Sequence, residues 1–420
     1  MDSEAVVTCF LRHDTEVLLC RSDAVGSDRG LWGGVSGSVE GDPDAAARRE
    51  IDEKVGLLEP ATFVRTADPF VVQDHDRGTE WYVHPFLYDC EATGVEPDEE
   101  TAAHEWVQPP EILQCDTVPE LWPTYRAVAP SVESVADDTD HGSAYVSLRA
   151  LEVLRDTAAD AATNDGDAAA VLERAADLRT ARSAMGVVRN RLDRVLAGAD
   201  GDTDPPSVVD RAAAACERAV AVDEDAAAAA ANRVGDRVLT LSRSGTVLEA
   251  LRRADPEAVF VAESRPAREG VGVAEALADD GLDVTLHLDA AVAHVAATEA
   301  VDTVLVGADS VLADGTVVNK VGTRPAALAA ADVGADCYAV CARDKIVPGT
   351  DVDLETGPPD AVREPTAAFA VRNPTVEATP PGQFAGVVTE DGVLSPHDVA
   401  AVAADHAAVR RAADAVVGDP

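Results

Sequence analysis

The chain has 420 residues, of which 46% are hydrophobic and only 4% aromatic. A chain of this length is too long for one hydrophobic core, so we expect two or three domains with cores built mainly from Ala, Val and Leu. The net charge is −43, from 77 acidic and 34 basic residues. It argues against nucleic acid as a partner, because a dense carboxylate surface repels phosphate.

The acidic residues are spread along the whole chain rather than collected in a tail. This pattern is typical of a protein that stays soluble where salt screens self-repulsion, so we hypothesise an acidic halophilic protein of a high-salt cytoplasm. The seven cysteines are an odd number and form no CxxC motif, which predicts reduced thiols and no zinc site. No signal segment and no run of about 18 apolar residues is visible, so we expect a soluble, cytoplasmic protein without a membrane partner.

The first 125 residues read as strands around one helix. Apolar stretches before and after His13-Asp14-Thr15 predict a β-hairpin, and a glycine-rich loop follows. Asp42-Pro43 predicts the start of a helix that ends at Gly56. Three further strands are expected at 62–67, 81–90 and 105–107.

The stretch from Gly37 through Arg49-Glu50-Ile51-Asp52-Glu53-Lys54-Val55-Gly56-Leu57 resembles the Nudix box. The resemblance implies a Nudix α/β/α sandwich over residues 1–125, in which Glu50 and Glu53 bind Mg²⁺ that holds a pyrophosphate. Lys54 stands where the family has a second glutamate, and an ammonium repels Mg²⁺ instead of binding it. Glu40 and Asp42 are the acids available to substitute for the early glutamate of the box. Two interpretations stay open, a Nudix hydrolase and a Nudix scaffold that senses a nucleotide or docks.

Prolines and an aspartate run predict a linker over residues 126–140. Alanine-rich amphipathic patterns predict a helical subdomain over residues 141–235. Gly142 lies at the start of its first helix, and Arg182-Ser183-Ala184-Met185 is predicted to start another. By themselves, these residues are typical of a helix cap and a surface arginine.

From residue 236 to 420, short apolar runs alternate with helical stretches, which predicts a Rossmann-like domain with a parallel sheet. The predicted strands are at 238–241, 259–262, 284–288, 303–306, 337–341 and 386–389. Polar residues follow these strands, and a parallel sheet brings them to one edge, which we call the rim. The segment from 304 to 323 presents Asp309 and Lys320 and leads into a helix whose amino-terminal amides are expected to receive phosphate. Lys320 and Lys345 are two of only three lysines, which favours a phosphate-binding role at the rim.

The order of motifs at the rim resembles the translation initiation factor 2B alpha/beta/delta family, including its isomerases for ribose 1,5-bisphosphate and 5-methylthioribose 1-phosphate. The matching motifs are Glu263-Ser264-Arg265-Pro266, Leu288-Asp289-Ala290-Ala291, Gly307-Ala308-Asp309, Asn319-Lys320-Val321-Gly322-Thr323 and Asn373-Pro374 through Pro380-Pro381.

The resemblance implies that Asp309 is the catalytic acid, and that Ser242 occupies the position of the family's second catalytic group, a cysteine. It implies substrate binding by Gly142, Arg182, Arg265, Asn319, Lys320 and Lys345, no cofactor for this half, and a homo-oligomer. The fold class expected for the whole chain is multidomain α/β.

Two functions remain open. The first is an enzyme, an aldose-ketose isomerase acting on a sugar phosphate. The second is a non-catalytic regulatory protein that binds a sugar phosphate or nucleotide. The replacement of cysteine by Ser242 and of glutamate by Lys54 favours the second.

Overall fold

The computed structural model describes residues 3–23, 29–74, 79–163, 168–198, 202–352, 354, 356–364 and 368–418. The chain divides into two compact units. The first comprises Met1–Ser134, Leu151–Val171 and Asp204–Cys216; the second comprises Val135–Ala150, Leu172–Thr203 and Glu217–Pro420. The predicted domain boundaries at 125, 140 and 235 remain predictions.

The first unit contains a mixed eight-stranded sheet with helix α1 packed against it. Its strands and first helices are β1 (Ser3–His13), β2 (Glu16–Ser22), β3 (Trp32–Gly33), β4 (Val35–Ser38), α1 (Pro43–Val55), β5 (Ala61–Thr66), β6 (Phe70–Asp74), β7 (Thr79–Cys90), β8 (Thr101–Val107) and α2 (Leu121–Val128). The central order is β3-β2-β1-β7-β5, with β1 and β7 parallel. The predicted hairpin, helix and three later strands are confirmed.

Helix α1 buries one stripe of small and aliphatic side chains against the sheet, Ala46, Ala47, Ile51 and Val55. The spacing of three to four residues is what puts this stripe on one face. On the other side of the sheet, Tyr125 of α2 packs edge-on against Phe10, with ring centroids 5.4 Å apart. A short helix α3 (Val132–Ala136) follows. The segment predicted as a linker therefore contains regular helix.

Four longer helices follow, α4 (Ser143–Thr163), α5 (Ala168–Ala181), α6 (Gly186–Ala197) and α7 (Pro205–Ala231). They confirm the helical pattern predicted for this region. The interruption predicted at 164–167 lies outside the described residues. The helix predicted to begin at Arg182 begins instead at Gly186.

The second unit is built on a seven-stranded sheet of order β11-β10-β9-β12-β15-β17-β18. Its elements are β9 (Arg237–Leu241), α8 (Gly245–Ala254), β10 (Ala258–Ala262), α9 (Glu269–Asp279), β11 (Val284–His287), α10 (Val292–Thr298), β12 (Thr303–Gly307), β13 (Ser310–Val311), β14 (Val317–Lys320), α11 (Thr323–Val333), β15 (Asp336–Val340), β16 (Val376–Thr379), β17 (Gly386–Thr389), β18 (Gly392–Leu394) and α12 (Pro396–Val417). All neighbours pair in parallel except β17 and β18.

The six predicted strands and the parallel sheet are confirmed. Strands β10 and β12 are buried along their whole length, because helices cover both faces. Strands β13, β14 and β16 form a separate antiparallel sheet beyond the end of β12. This small sheet carries the segment around Asp309 and Lys320. Among the helices that the structure describes, none combines the length and apolarity required to cross a membrane.

Candidate active site

Asp309 lies directly beyond the buried strand β12, where the chain turns into the small sheet. Its backbone N–H donates to the carbonyl of Val318, 2.9 Å away, which fixes this turn against β14. Gly307 is required just before it, since a Cβ there would lie 2.8 Å from the Oγ of Ser244. The residue is half-buried. The predicted acid is thus at the carboxyl end of the parallel sheet, where open α/β sheets bind ligands.

Lys320 ends β14 and forms an ion pair with Glu269, the first residue of α9, at 2.6 Å. The side chains of Lys320 and Glu269 are 12% and 20% exposed, so the pair is held largely out of water but remains accessible. The second carboxylate oxygen of Glu269 is buried without a hydrogen-bond partner in the described structure. Glu269 was not among the predicted site residues. In the sequence, the only indication of a role for Glu269 was that it is an acidic residue following a predicted strand.

Asp289 organises the loops that follow β9 and β10. Its two carboxylate oxygens accept from the backbone N–H groups of Ser264 and Arg265, both at 2.7 Å. The Ser264 Oγ in turn accepts from the backbone N–H of Ser242, also at 2.7 Å. Ser242 and Ser264 have left-handed backbone conformations, with φ of 63° and 60°. Such conformations cost energy and are found preferentially at functional loops.

Asn319 and Lys345 are almost fully buried, with exposed fractions of 7% and 6%. Side chains that bind a substrate directly at the rim would be expected to be more exposed. The Lys345 ammonium donates to the carbonyl of Ala308 at 2.8 Å, and Asn319 Nδ2 donates to Thr323 Oγ1 at 2.9 Å. Lys345 therefore holds the backbone just before Asp309, whereas Asn319 holds the side chain of Thr323 just beyond Lys320. Arg265 is exposed and has only its backbone N–H tied into this network.

The amino-terminal amides of α11 are occupied by a carboxylate. One oxygen of Glu377 accepts from the N–H groups of Gly322 and Arg324, at 2.7 and 3.0 Å. Two of the amides expected to receive phosphate therefore already bind a carboxylate of the protein itself. Glu377, which lies within the motif from Asn373 to Pro381, thus fixes the start of α11.

Gly142 and Arg182 lie near the start of α4. A Cβ at Gly142 would lie 3.9 Å from the carbonyl oxygen of Arg243, one residue beyond Ser242. The guanidinium of Arg182 donates to the carbonyls of Ala136 and Asp138. Gly142 is thus close to the loop after β9, while Arg182 holds the segment that precedes α4.

Ser242 stands at the position where the family resemblance implies a cysteine. Cys337 and Cys341 belong to the strand region of β15, and burial raises the pKa of both thiols to about 12. Within the described part of the chain, the Ser242 Oγ forms no hydrogen bond, so no base activates it. All seven cysteines are free.

In the first unit, Glu50 turns its carboxylate into the space beside Gly37. A Cβ at Gly37 would lie 2.0 Å from the carboxylate carbon, so only glycine leaves room for it. Glu50 is 7% exposed, and Arg49 donates to it at 2.9 Å. The Lys54 ammonium lies 3.7 Å from the other oxygen of Glu50 and donates to the carbonyl of Ser36 at 2.6 Å.

These residues do not fit Mg²⁺. Two cationic groups already neutralise the one buried carboxylate, and Lys54 lies where hard oxygen ligands would otherwise converge on a cation. Glu53, Glu40 and Asp42 are exposed. Across the described ranges, no group of three or more His, Cys, Asp or Glu residues is arranged to hold a metal ion.

Two protein-family models match the chain, one in each of the two parts that the sequence motifs predict. A model of the initiation factor 2 subunit family matches residues 139–396, and a model of the NUDIX domain matches residues 2–130. The chain is 31% identical over 296 residues to a ribose 1,5-bisphosphate isomerase of Haloferax volcanii, covering 65% of this chain and 91% of that protein. It is 30% identical over 234 residues to a ribose 1,5-bisphosphate isomerase of Methanocaldococcus jannaschii, covering 52% of this chain and 75% of that protein.

Solved structures show the same fold. A translation initiation factor eIF-2B of Pyrococcus horikoshii has a TM-score of 0.56 at 23% identity, covering 64% of this chain and 97% of that one. A 5-methylthioribose 1-phosphate isomerase of the same organism has a TM-score of 0.54 at 21% identity, covering 66% of this chain and 86% of that one. The strand-end motifs, the parallel sheet and these matches lead to one conclusion: the chain belongs to the initiation factor 2 subunit family and carries a NUDIX domain on the amino-terminal side of it, with the ribose-1,5-bisphosphate and methylthioribose-1-phosphate isomerases among its relatives.

Proposed function

We propose that the second unit is an aldose-ketose isomerase that converts ribose 1,5-bisphosphate into ribulose 1,5-bisphosphate. The observation that carries the proposal is that half-buried Asp309, directly before β13, and Lys320, at the end of β14, both lie beside the carboxyl end of β12. The identity with ribose 1,5-bisphosphate isomerases supports this choice of substrate.

The reaction needs a group that moves a proton between oxygens. The ring bond between C1 and the ring oxygen breaks, the hydrogen on C2 moves to C1, and C2 becomes a carbonyl. The proton of the 2-hydroxyl is lost and the former ring oxygen gains one, so the atoms balance. A carboxyl group can take and return that proton, and we assign this role to Asp309.

The cations of the rim would bind the phosphates. Lys320 provides a compact point charge whose carboxylate partner, Glu269, can be exchanged for a substrate phosphate. Arg265 and Gly142 are assigned to the substrate as well. Lys345, Asn319 and Arg182 donate to protein atoms here, so we propose that they position the rim and contact substrate only through local rearrangement.

A second candidate function is a non-catalytic sensor of a sugar phosphate. Ser242 favours it, because a hydroxyl without an adjacent base is a poor substitute for a thiol. The same rim would bind the ligand without turning it over.

One experiment separates the two candidates. The full chain in concentrated KCl is given ribose 1,5-bisphosphate, and ribulose 1,5-bisphosphate is measured. For an isomerase we expect turnover that Asp309→Asn abolishes, by at least about 100-fold for loss of a general acid-base group. Ser242→Cys is expected to raise the rate. Arg29→Met, in an exposed ion pair of the first unit, is the control. If no turnover is seen but ligand binding is lost in Lys320→Ala, the sensor is the correct function.

For the NUDIX half, we propose that Lys54 serves as a built-in cation and that the domain is a binding scaffold without Mg²⁺-dependent hydrolysis. The ammonium between Glu50 and the Ser36 carbonyl supports this proposal. The ligand that suits the scaffold is a nucleotide.

We also propose that the protein forms a homo-oligomer through the second unit. A chain of the tetrameric eIF2B-beta2-delta2 complex from C. thermophilum, an assembly of two kinds of subunit, has the same fold, with a TM-score of 0.52 at 20% identity, covering 68% of this chain and 94% of that one. Sedimentation in concentrated KCl would test this, with a monomer as the refuting result.

A further inference from the structure

A cavity of about 610 Å³ lies in the second unit, and three arginines line it. We call it the arginine cavity and define it by Arg179, Arg189 and Arg410, with Ser310, Leu312 and Val347 on its walls. Its volume is within the range of small-molecule sites. Neither Asp309 nor Lys320 is on its described lining, although Ser310, which follows Asp309, and Ser183, which follows Arg182, are.

The arginines outnumber the carboxylates that hold them. Arg179 is fully buried and donates to Asp193 at 2.8 Å and to Asp414. Arg189 pairs with Asp414 at 3.0 Å, and both Arg189 and Arg410 lie 3.6 Å from the same oxygen of Asp193. Three guanidinium groups thus share two carboxylates. With Asp351 on the lining, three arginines stand beside three carboxylates, a cluster of cations in a chain with 77 acidic and 34 basic residues.

Arg189 and Arg410, which are partly exposed, have N–H donors that no described residue accepts. The side chains of Arg189 and Arg410 are 25% and 26% exposed, and the Nη1 group of each forms no hydrogen bond with any described residue. The Nε groups of both are buried without a hydrogen-bond partner. Burial, together with the neighbouring Arg189, lowers the pKa of Arg410. The buried Nε groups face Asp193 Oδ2, which is itself without a hydrogen-bond partner in the described structure. The two Nη1 groups therefore are the donors that lack acceptors, and an anion in the cavity would supply them.

The other residues that line the cavity indicate what kind of anion it would bind. Leu312, Val347, Val352 and Leu354 give the cavity apolar surface, and Ser310 contributes a hydroxyl. Asp351, which is exposed, lies on the lining as well and would disfavour a large polyanion. This mixture suits a compact phosphate on an organic body better than an inorganic ion alone.

We propose that the arginine cavity binds a small organic phosphate, at a site distinct from the rim. The guanidinium groups of Arg189 and Arg410 hold the phosphate, and the apolar wall receives the rest of the molecule. Arg179, fully buried between two carboxylates, positions the cluster without contacting the ligand.

The test uses the full chain with the rim disabled. Lys320→Met protein in concentrated KCl and EDTA is titrated calorimetrically with ribose 5-phosphate as the probe. We expect binding in this background and a loss of at least about tenfold in affinity when Arg189→Met is added, because a hydrogen bond to a charged group is removed. Arg343→Met is the matched control, since Arg343 is similarly exposed at 31% in ion pairs elsewhere in the unit. It should leave binding unchanged.

Thermal unfolding without the probe shows whether each variant is folded, and Arg410→Gln replaces Arg189→Met if the latter is not. Unchanged affinity in the folded cavity variant, or no binding in the Lys320→Met background, would overturn the proposal. Because turnover by the unmodified rim is a separate measurement, failure here leaves the isomerase proposal standing, and the reverse also holds.

Discussion

Replacing Lys54 by glutamate should create a metal site in the NUDIX half. The substitution removes the ammonium that lies 3.7 Å from Glu50 and 2.6 Å from the Ser36 carbonyl. It places a second carboxylate one helical turn from Glu50. Carboxylate and carbonyl oxygens are then available together, which is the donor set that Mg²⁺ and Mn²⁺ prefer.

The size of the effect follows from the charges. Two unit charges 4 Å apart interact by about 1 kcal/mol in bulk water and about 4 kcal/mol near a protein surface. A divalent ion at Glu50 would feel twice that repulsion from Lys54, roughly 2 to 8 kcal/mol. The Lys54 side chain is 27% exposed, so we take the lower part of this range, about 3 kcal/mol, which is a factor of about 100 in affinity.

The assay is Mn²⁺ binding to the full chain in concentrated KCl, measured by electron paramagnetic resonance. Because an acidic surface binds Mn²⁺ weakly at many places, only the component removed by Glu50→Gln is counted. We expect Lys54→Glu to raise the Mn²⁺ affinity of this site by at least about 100-fold. Lys54→Met removes the charge without adding a ligand, so it should raise the affinity less. Wild-type protein that binds Mn²⁺ through Glu50 as tightly as Lys54→Glu would refute the reasoning.

Arg12→Met should destabilise the protein by about 3 kcal/mol in denaturant titration, because it removes the ion pairs of the buried Arg12 with Asp89 at 2.7 Å and with the buried Glu152 at 3.4 Å; a loss no larger than that of the exposed Arg29→Met would contradict this. His406 is buried, and burial, with a contribution from Arg194, lowers its pKa despite its hydrogen bond to Ile346. Because the unfolded chain then binds the proton first, stability should fall as pH drops below about 6.5; His406→Gln should flatten this dependence, and an identical pH profile would argue against it. Thermal unfolding should shift upward as KCl is raised, since screening relieves the repulsion of a net charge of −43; equal stability in dilute buffer would disprove the high-salt hypothesis.

The sequence determined the order and type of the secondary structure well. Runs such as 258–262 and 303–307 are apolar at every position, and such runs form strands that helices cover on both faces. Asp42-Pro43 and Gly56 placed the ends of α1 correctly because helix ends depend on local chemistry. The rim could be predicted for the same reason, since parallel strands bring their carboxyl ends to one edge.

The tertiary structure alone decided what each polar side chain contacts. Lys54 and Ser36 are 18 residues apart, Lys345 and Ala308 are 37 apart, and Glu377 reaches amides 53 and 55 residues earlier. Such distances in the chain carry no periodic signal, because hydrogen bonds between side chains and distant backbone depend on how the elements pack. Local patterns therefore located the acids and lysines of the site, whereas only packing decided which of them are occupied by the protein itself and which remain open to a ligand.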